Sequence, residues 1–220
     1  MDASPESAPG PGCNPEGNLA GDPPVEPEFV SRGGLKLHHA LTEFGVDANG
    51  LLCADLGCST GGFTDVLLHH GAARVHSVDT AYGELAWKLR QDERVSVHER
   101  SNALHFEPPE LVDLVVIDLG WTQQRLALPA AAKWLNTTGR IITLVKPHYE
   151  CDKSELGPGG VMDHTRAEEV AIGVRDGLPA LGFEVLGWTK SPVIGGAAGK
   201  RKKRKGTGNP EWLALLKPLV

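Results

Sequence analysis

No apolar run in this sequence approaches the ~20 residues that a membrane span requires, and the N-terminus lacks the charged-then-apolar pattern of an export signal. A cytoplasmic protein without a membrane span is therefore expected. The four cysteines, Cys13, Cys53, Cys58 and Cys151, form no C-x-x-C pair, which argues for reduced thiols over a zinc site or a disulfide framework. The histidines offer no ligand constellation: His38-His39 and His69-His70 are adjacent, so the rings of each pair point two ways on a helix. No metal site is expected. Residues 1–28 lack lysine and arginine, have few aliphatic side chains, and contain six acids, seven prolines and four glycines. Such a stretch cannot bury enough apolar surface to offset chain entropy. The expectation is a disordered acidic tail over 1–28 and one folded domain over 29–220.

The net charge of −6 hides a segregation, because of 28 acids and 22 bases the chain beyond residue 28 keeps 22 of each. Within that neutral remainder stand six consecutive cations, Lys200, Arg201, Lys202, Lys203, Arg204 and Lys205, in a glycine-flanked insertion at about 197–208. Such a run is either a solvated face or an arm for phosphates, which would supply salt-sensitive, sequence-independent RNA affinity.

From Phe29 onward short apolar runs alternate with helix-like segments. Leu35, Leu37, Ala40, Leu41 and Phe44 recur at helical spacing and stop at Gly45. Strands are expected in "LLCADLG", "RVHSVDT", "RVSVHER", "LVDLVVIDLG", "GRIITLVKP", "GFEVLGWTKSPV" and "EWLALLKPLV", with helices near 62–71, 83–90, 124–136 and 163–181. Alternation of this kind predicts a doubly wound α/β fold with a mostly parallel sheet, its last two runs forming an antiparallel edge pair.

In such a sheet ligands bind beyond the carboxyl ends of the strands, which singles out the loop Asp55-Leu56-Gly57-Cys58-Ser59-Thr60-Gly61-Gly62. It fits neither phosphate pattern. A P-loop needs a lysine where Phe63 stands, and the dinucleotide fingerprint needs glycine where Ser59 stands. An acid before the first glycine would repel a pyrophosphate but suits the ammonium and sulfonium centres of S-adenosyl-L-methionine. Asp79, ending the next strand, can accept from two ribose hydroxyls, and Asn102 in "SNA" can meet an adenine edge. Taken alone, the loop is equally an ordinary βα turn with acidic caps.

Four further residues stand where packing does not require them: Lys36 in the first helix, Asp118 after "LVVI", Lys146 after "IITLV", and Glu211 in "GNPEW". Each alone reads as a surface salt bridge. Together they suit deprotonation of a ribose 2′-hydroxyl, a weak nucleophile that must lose its proton as it attacks a methyl carbon. The stretches "FVSRGGLKLHHAL", "CADLGCSTGGFTDVLL", "GAARVHSVDTAYGELAWKLRQDERV", "ERSNALH", "DLVVIDL", "LVKPHYE" and "GNPEWLALL" resemble the TlyA branch of the FtsJ-like ribosomal RNA methyltransferases from about residue 29 onward. That resemblance implies a seven-stranded Rossmann-like class I methyltransferase sheet and a catalytic Lys36-Asp118-Lys146-Glu211 tetrad. It also implies cofactor contacts at Asp55, Gly57, Ser59, Thr60, Gly61, Asp79, Asn102 and Asp118, and ribosomal RNA as substrate.

Three departures accompany it. The acidic stretch stands where the branch carries a small N-terminal RNA-binding domain; Leu119-Gly120-Trp121 replaces a small-polar-then-Phe pair; and the insertion holding the six cations is additional. Arg32 and Trp121 are candidate RNA contacts, Trp121 by stacking on a base. Trp87, Trp134, Trp188 and Trp212 are expected in the core or anchoring helices. The rival readings are methyl transfer to a base or a small molecule, and a non-catalytic RNA-binding or haemolysin-like protein.

Overall fold

The computed structural model describes residues 28–195 and 208–219. In chain order the elements are α1 (Gly33–Phe44), β1 (Leu52–Leu56), α2 (Gly62–His69), β2 (Arg74–Val78), α3 (Trp87–Arg90), β3 (Val95–His98), β4 (Val112–Ile117), α4 (Gln124–Ala132), β5 (Leu135–Val145), α5 (Pro147–Glu150), α6 (His164–Gly177), β6 (Phe183–Lys190) and β7 (Trp212–Pro218). The strands form one sheet in the order β3-β2-β1-β4-β5-β7-β6. Pairing is parallel from β3 through β5, while β7 runs antiparallel to both β5 and β6.

The continuous apolar strands are explained by cover on both faces. Successive side chains of a strand point to opposite faces, so Leu114 and Val116 pack with Leu37, Leu41, Phe63 and Leu67 of α1 and α2. Val115 and Ile117 pack on the other face with Leu128, Trp134 and Leu178. Strand β7 divides in the same way, Leu213 and Leu215 to one side and Ala214 and Leu216 to the other. Each leucine so buried contributes roughly 2 kcal/mol.

The expected α/β order, the parallel sheet and the antiparallel edge are all present. All four helices are shorter than their apolar patterns predict, α2 by only two residues and the other three by more. The segment 83–90 is helical only over Trp87–Arg90; ahead of it Ala81 N–H bonds Asp79 at 2.8 Å, Gly83 N–H bonds Glu99 at 2.7 Å and Ala86 N–H bonds the Thr60 carbonyl at 3.1 Å. Helix α4 ends at Ala132 because the chain turns into β5 at once, Val112 N–H bonding the Trp134 carbonyl at 2.7 Å. Helix α6 gives way before Pro179, which cannot donate a helical hydrogen bond. Trp134 and Trp212 are in the core and Trp188 is half-buried, but Trp87 is 69% exposed, contrary to expectation. It opens a four-residue helix whose only buried position is Leu89. The segments 1–27 and 196–207, with the acidic stretch and the six cations, lie outside the described residues.

Candidate active site

All four predicted tetrad residues converge at the carboxyl end of the sheet. Asp118 follows β4 and its N–H bonds the Leu56 carbonyl at 3.0 Å, continuing the pairing with β1. Lys146 follows β5, and Pro147 at the first position of α5 marks where the strand stops. Val145 pairs with Trp212 across the antiparallel junction, so the next residues on each strand are Lys146 and Glu211. Lys36 comes from α1, which packs against α2 and β7.

Two ion pairs result. Lys146 Nζ lies 2.5 Å from Asp118 Oδ1 and donates to the Leu119 carbonyl at 2.9 Å. Lys36 Nζ donates to Glu211 Oε2 at 2.5 Å, both side chains being buried. Burial pushes the Asp118 carboxyl up, but Lys146 and Lys36 together outweigh it and hold it below the ordinary aspartate value. For Glu211 burial prevails over Lys36, and the pKa is raised. His148 is buried beside the tetrad; burial, then Lys146 and Lys36, lowers its pKa to about 4, leaving a neutral imidazole above that pH.

Two adjoining cavities open here. One, of about 540 Å³, is lined by Arg32, Lys36, Ser59, Thr60, Asp118 and Lys146 among others. The other, of about 440 Å³, is lined by Asp79, Ser101, Asn102, Leu104, Asp118 and Trp121 among others. Gly57, Ser59 and Asp118 line both. Gly57 has φ of +93°, and a Cβ there would stand 2.7 Å from the Asp118 carbonyl oxygen, so only glycine lets the loop pass this close to β4.

The predicted cofactor residues divide by depth. Asp79 sits at the second cavity with Oδ2 accepting from Ser59 N–H and Oδ1 from Ala81 N–H, both at 2.8 Å. Asn102 is exposed at the same cavity and ties its Oδ1 to Leu104 N–H at 3.0 Å. Gly61 lines neither cavity; it precedes α2 with φ of +98°, and a Cβ there would meet Leu89 and Leu85 within 2.7 Å. Asp55 also lines neither. Its carboxyl turns under the loop, where Thr64 donates to Oδ2 at 2.7 Å, Thr64 and Ser77 share a hydrogen bond of 2.8 Å, and Oδ1 is buried without a partner. Burial first, then the charge of Asp118, raises its pKa to about 7 against the pull of Thr64. Asp55 thus braces the loop on α2 instead of reaching into the cavity.

Of the predicted RNA contacts, Arg32 is exposed at the first cavity and Trp121 is 65% exposed at the second. Trp121 adopts φ of +56° and lays its ring on Tyr149, centroids 4.7 Å apart. Sequence reasoning missed Tyr149, the Leu119 carbonyl and Asn209. Buried Asn209 accepts from Met162 N–H at 2.7 Å and donates to the Gly160 carbonyl at 2.9 Å, anchoring the chain just before Glu211. The Asn-Pro dipeptide ahead of Glu211 was the available signal. Among the described residues no group of three or more His, Cys, Asp or Glu side chains could hold a metal ion.

A glycine loop and two lysine–carboxylate pairs at the carboxyl ends of a 3-2-1-4-5-7-6 sheet describe a methyltransferase-type site. The chain belongs to the FtsJ-like methyltransferase family, whose family model matches residues 29–201. It is 43% identical over 175 residues to the 16S/23S rRNA (cytidine-2′-O)-methyltransferase TlyA of Mycobacterium tuberculosis, covering 77% of this chain and 65% of that protein. It is 33% identical over 192 residues to Hemolysin A of Brachyspira hyodysenteriae, covering 85% of this chain and 76% of that one. A solved Streptococcus thermophilus structure, provisionally named a hemolysin, superposes with a TM-score of 0.79 at 37% identity, covering 90% of this chain and 70% of that one. The chain thus spans just under two thirds of the length of the tuberculosis relative.

Proposed function

We propose that this chain transfers a methyl group from S-adenosyl-L-methionine to a ribose 2′-hydroxyl of RNA, in ribosomal RNA, with residues 29–220 as the catalytic domain. The observation that carries the reading is the pair of cavities meeting at Asp118, one at the lysine tetrad and one at Asp79 and Asn102. A transfer between two molecules needs two adjoining compartments with the reacting groups at their boundary.

The second cavity fits the cofactor by its donor set. Both Asp79 oxygens keep lone pairs for a ribose diol, the Asn102 amide keeps its N–H donors for an adenine edge, and Ala103 and Leu104 supply an apolar wall. When bound, S-adenosyl-L-methionine supplies an electrophilic methyl carbon on a sulfonium leaving group. The tetrad's part is to hold and activate the hydroxyl. Two acceptors, Asp118 Oδ1 and the Leu119 carbonyl, hold the Lys146 amino group at the first cavity. From there its nitrogen takes the hydroxyl proton as the oxygen–carbon bond forms. Glu211 fixes Lys36 at the first cavity, where its charge steadies the developing oxyanion. Trp121, seated on Tyr149, offers a face to the base of the acceptor nucleotide. Arg32 and the cations Lys200–Lys205 serve the RNA phosphates, in keeping with the rRNA-modifying relative.

The test is transfer of labelled methyl groups into unmodified bacterial ribosomal subunits by wild type and Lys146→Ala, followed by digestion to nucleosides. Label on a ribose oxygen, lost in the variant, is the expected result. Label on a base, or none in either subunit despite cofactor binding, overturns the proposed acceptor.

A further inference from the structure

Trp87 and Tyr82, each 69% exposed, are the most exposed of the large hydrophobic side chains among the described residues. Neither lines the cavities, yet both border them. Tyr82 lies in the turn after Asp79 and Thr80, and Trp87 follows Ala86, whose N–H bonds the Thr60 carbonyl of the glycine loop at 3.1 Å. The Arg100 guanidinium stands over the Tyr82 ring, 4.3 Å from its centroid, and makes no hydrogen bond or ion pair among the described residues. Arg100 holds φ of +55°, a backbone state uncommon for a residue with a side chain.

The segment is firmly built. Arg100 N–H bonds the Ala81 carbonyl at 3.2 Å, Gly83 N–H bonds Glu99 at 2.7 Å, and the Arg90 guanidinium pairs with the same Glu99 carboxylate. The aliphatic neighbours Leu85 and Leu89 are turned inward at 4% and 3% exposure. What faces solvent is therefore two aromatic faces with a stacked cation, instead of the continuous apolar patch that a protein partner would need. Exposed aromatic faces interleaved with arginine suit bases that are free to unstack, and five guanidinium donors suit phosphate.

We infer that Tyr82, Arg100 and Trp87 form a docking surface for an unpaired RNA stretch flanking the methylated nucleotide, bases stacking on the two aromatic rings and a phosphate meeting Arg100. This rests on the RNA substrate proposed above. The surface lies on the β2–α3 side of the site, whereas Trp121 lies beyond β4.

The experiment measures fluorescence anisotropy of a fluorescein-labelled single-stranded 12-nucleotide RNA with the full chain, as wild type, Tyr82→Ala, Trp87→Ala, Trp87→Phe and Arg100→Gln. Each alanine variant is expected to bind about tenfold more weakly, the size of one lost base–aromatic stack. Trp87→Phe should recover most of the affinity. Arg100→Gln should flatten the dependence of log affinity on log salt by about one phosphate contact. In subunit methylation KM should rise with kcat unchanged, while equilibrium binding of labelled S-adenosyl-L-methionine stays at the wild-type value. Unchanged RNA affinity in all variants overturns the surface while ribose labelling by wild type keeps the RNA reading. A parallel loss of cofactor affinity overturns it in favour of a lid on the cofactor cavity. Weaker binding to whole subunits with unchanged binding to protein-free rRNA overturns it in favour of a protein contact. Failure of wild type to bind or label any RNA overturns both.

Discussion

The two ion pairs at the carboxyl end of the sheet are equal in length and opposite in electrostatics. Lys146–Asp118 joins two adjacent parallel strands, and the aspartate side chain is 25% exposed. Lys36–Glu211 joins α1 to the entry of the antiparallel strand β7, and the glutamate side chain is 4% exposed. Both lysines act on Asp118 strongly enough to outweigh its burial, so that carboxyl stays ionised to lower pH than an ordinary aspartate. At Glu211 burial prevails over Lys36, so its proton is retained to higher pH than usual. Asp118 is thus a negative charge where the two cavities meet, whereas Glu211 depends on pH for its hold on Lys36.

The difference can be broken most severely in the rate. Lys146→Ala should lower kcat by about 10²- to 10⁴-fold, the range for a lost general base, while isothermal titration shows cofactor affinity within a few fold of wild type. Next in size is stability. Glu211→Ala leaves Lys36 buried without its partner and should cost about 3–5 kcal/mol in urea unfolding. Asp118→Ala should cost less, because Lys146 keeps the Leu119 carbonyl and the site is partly wet. Gly57→Ala places a Cβ against the Asp118 carbonyl at positive φ, costing about 1–2 kcal/mol for the backbone alone. It should weaken cofactor binding measurably with the tetrad residues unchanged.

The smallest effect separates the pairs by pH. Because the Glu211 pKa is raised, the folded state binds that proton more tightly than the unfolded chain does. Its contribution to stability is present below the ordinary glutamate value and is lost as pH rises through the raised one. Asp118 has the opposite sign, stabilising above the ordinary aspartate value and losing that contribution as pH falls through the lowered one. Glu211→Gln should therefore remove the limb of the stability–pH profile in which urea stability falls as pH rises through the raised glutamate value. An unchanged limb would assign it to another group.

Much of this was legible in the residues. Apolar runs of strand length, separated by helical patterns, gave the α/β order, and Gly45 was read as the end of α1 where the structure ends it. Asp118, Lys146 and Glu211 stood out because charged residues at the ends of apolar strands have no packing reason to be there; Lys36, within α1, carried no such signal. The loop's depth was not. Asp55 reads the same whether it faces a ligand or Thr64, since the choice depends on a hydroxyl nine residues later on α2. Trp87 was misread because a tryptophan beside Leu85 and Leu89 has the composition of a buried helix face. The helix starts only at Trp87, after a segment tied to Asp79 and Glu99, and the ring is left exposed.

The sequence by itself determined the parallel sheet and the place of the glycine loop after its first strand, because hydrophobic period and side-chain type act over a few neighbouring residues. It also contained both lysine–carboxylate pairs as unpaired residues. Only the tertiary structure decided the pairing, by bringing Lys36 and Glu211 together across 175 residues of chain when β7 entered beside β5. Their unequal pKa shifts follow from burial and distance, which are properties of three-dimensional packing and have no local signature.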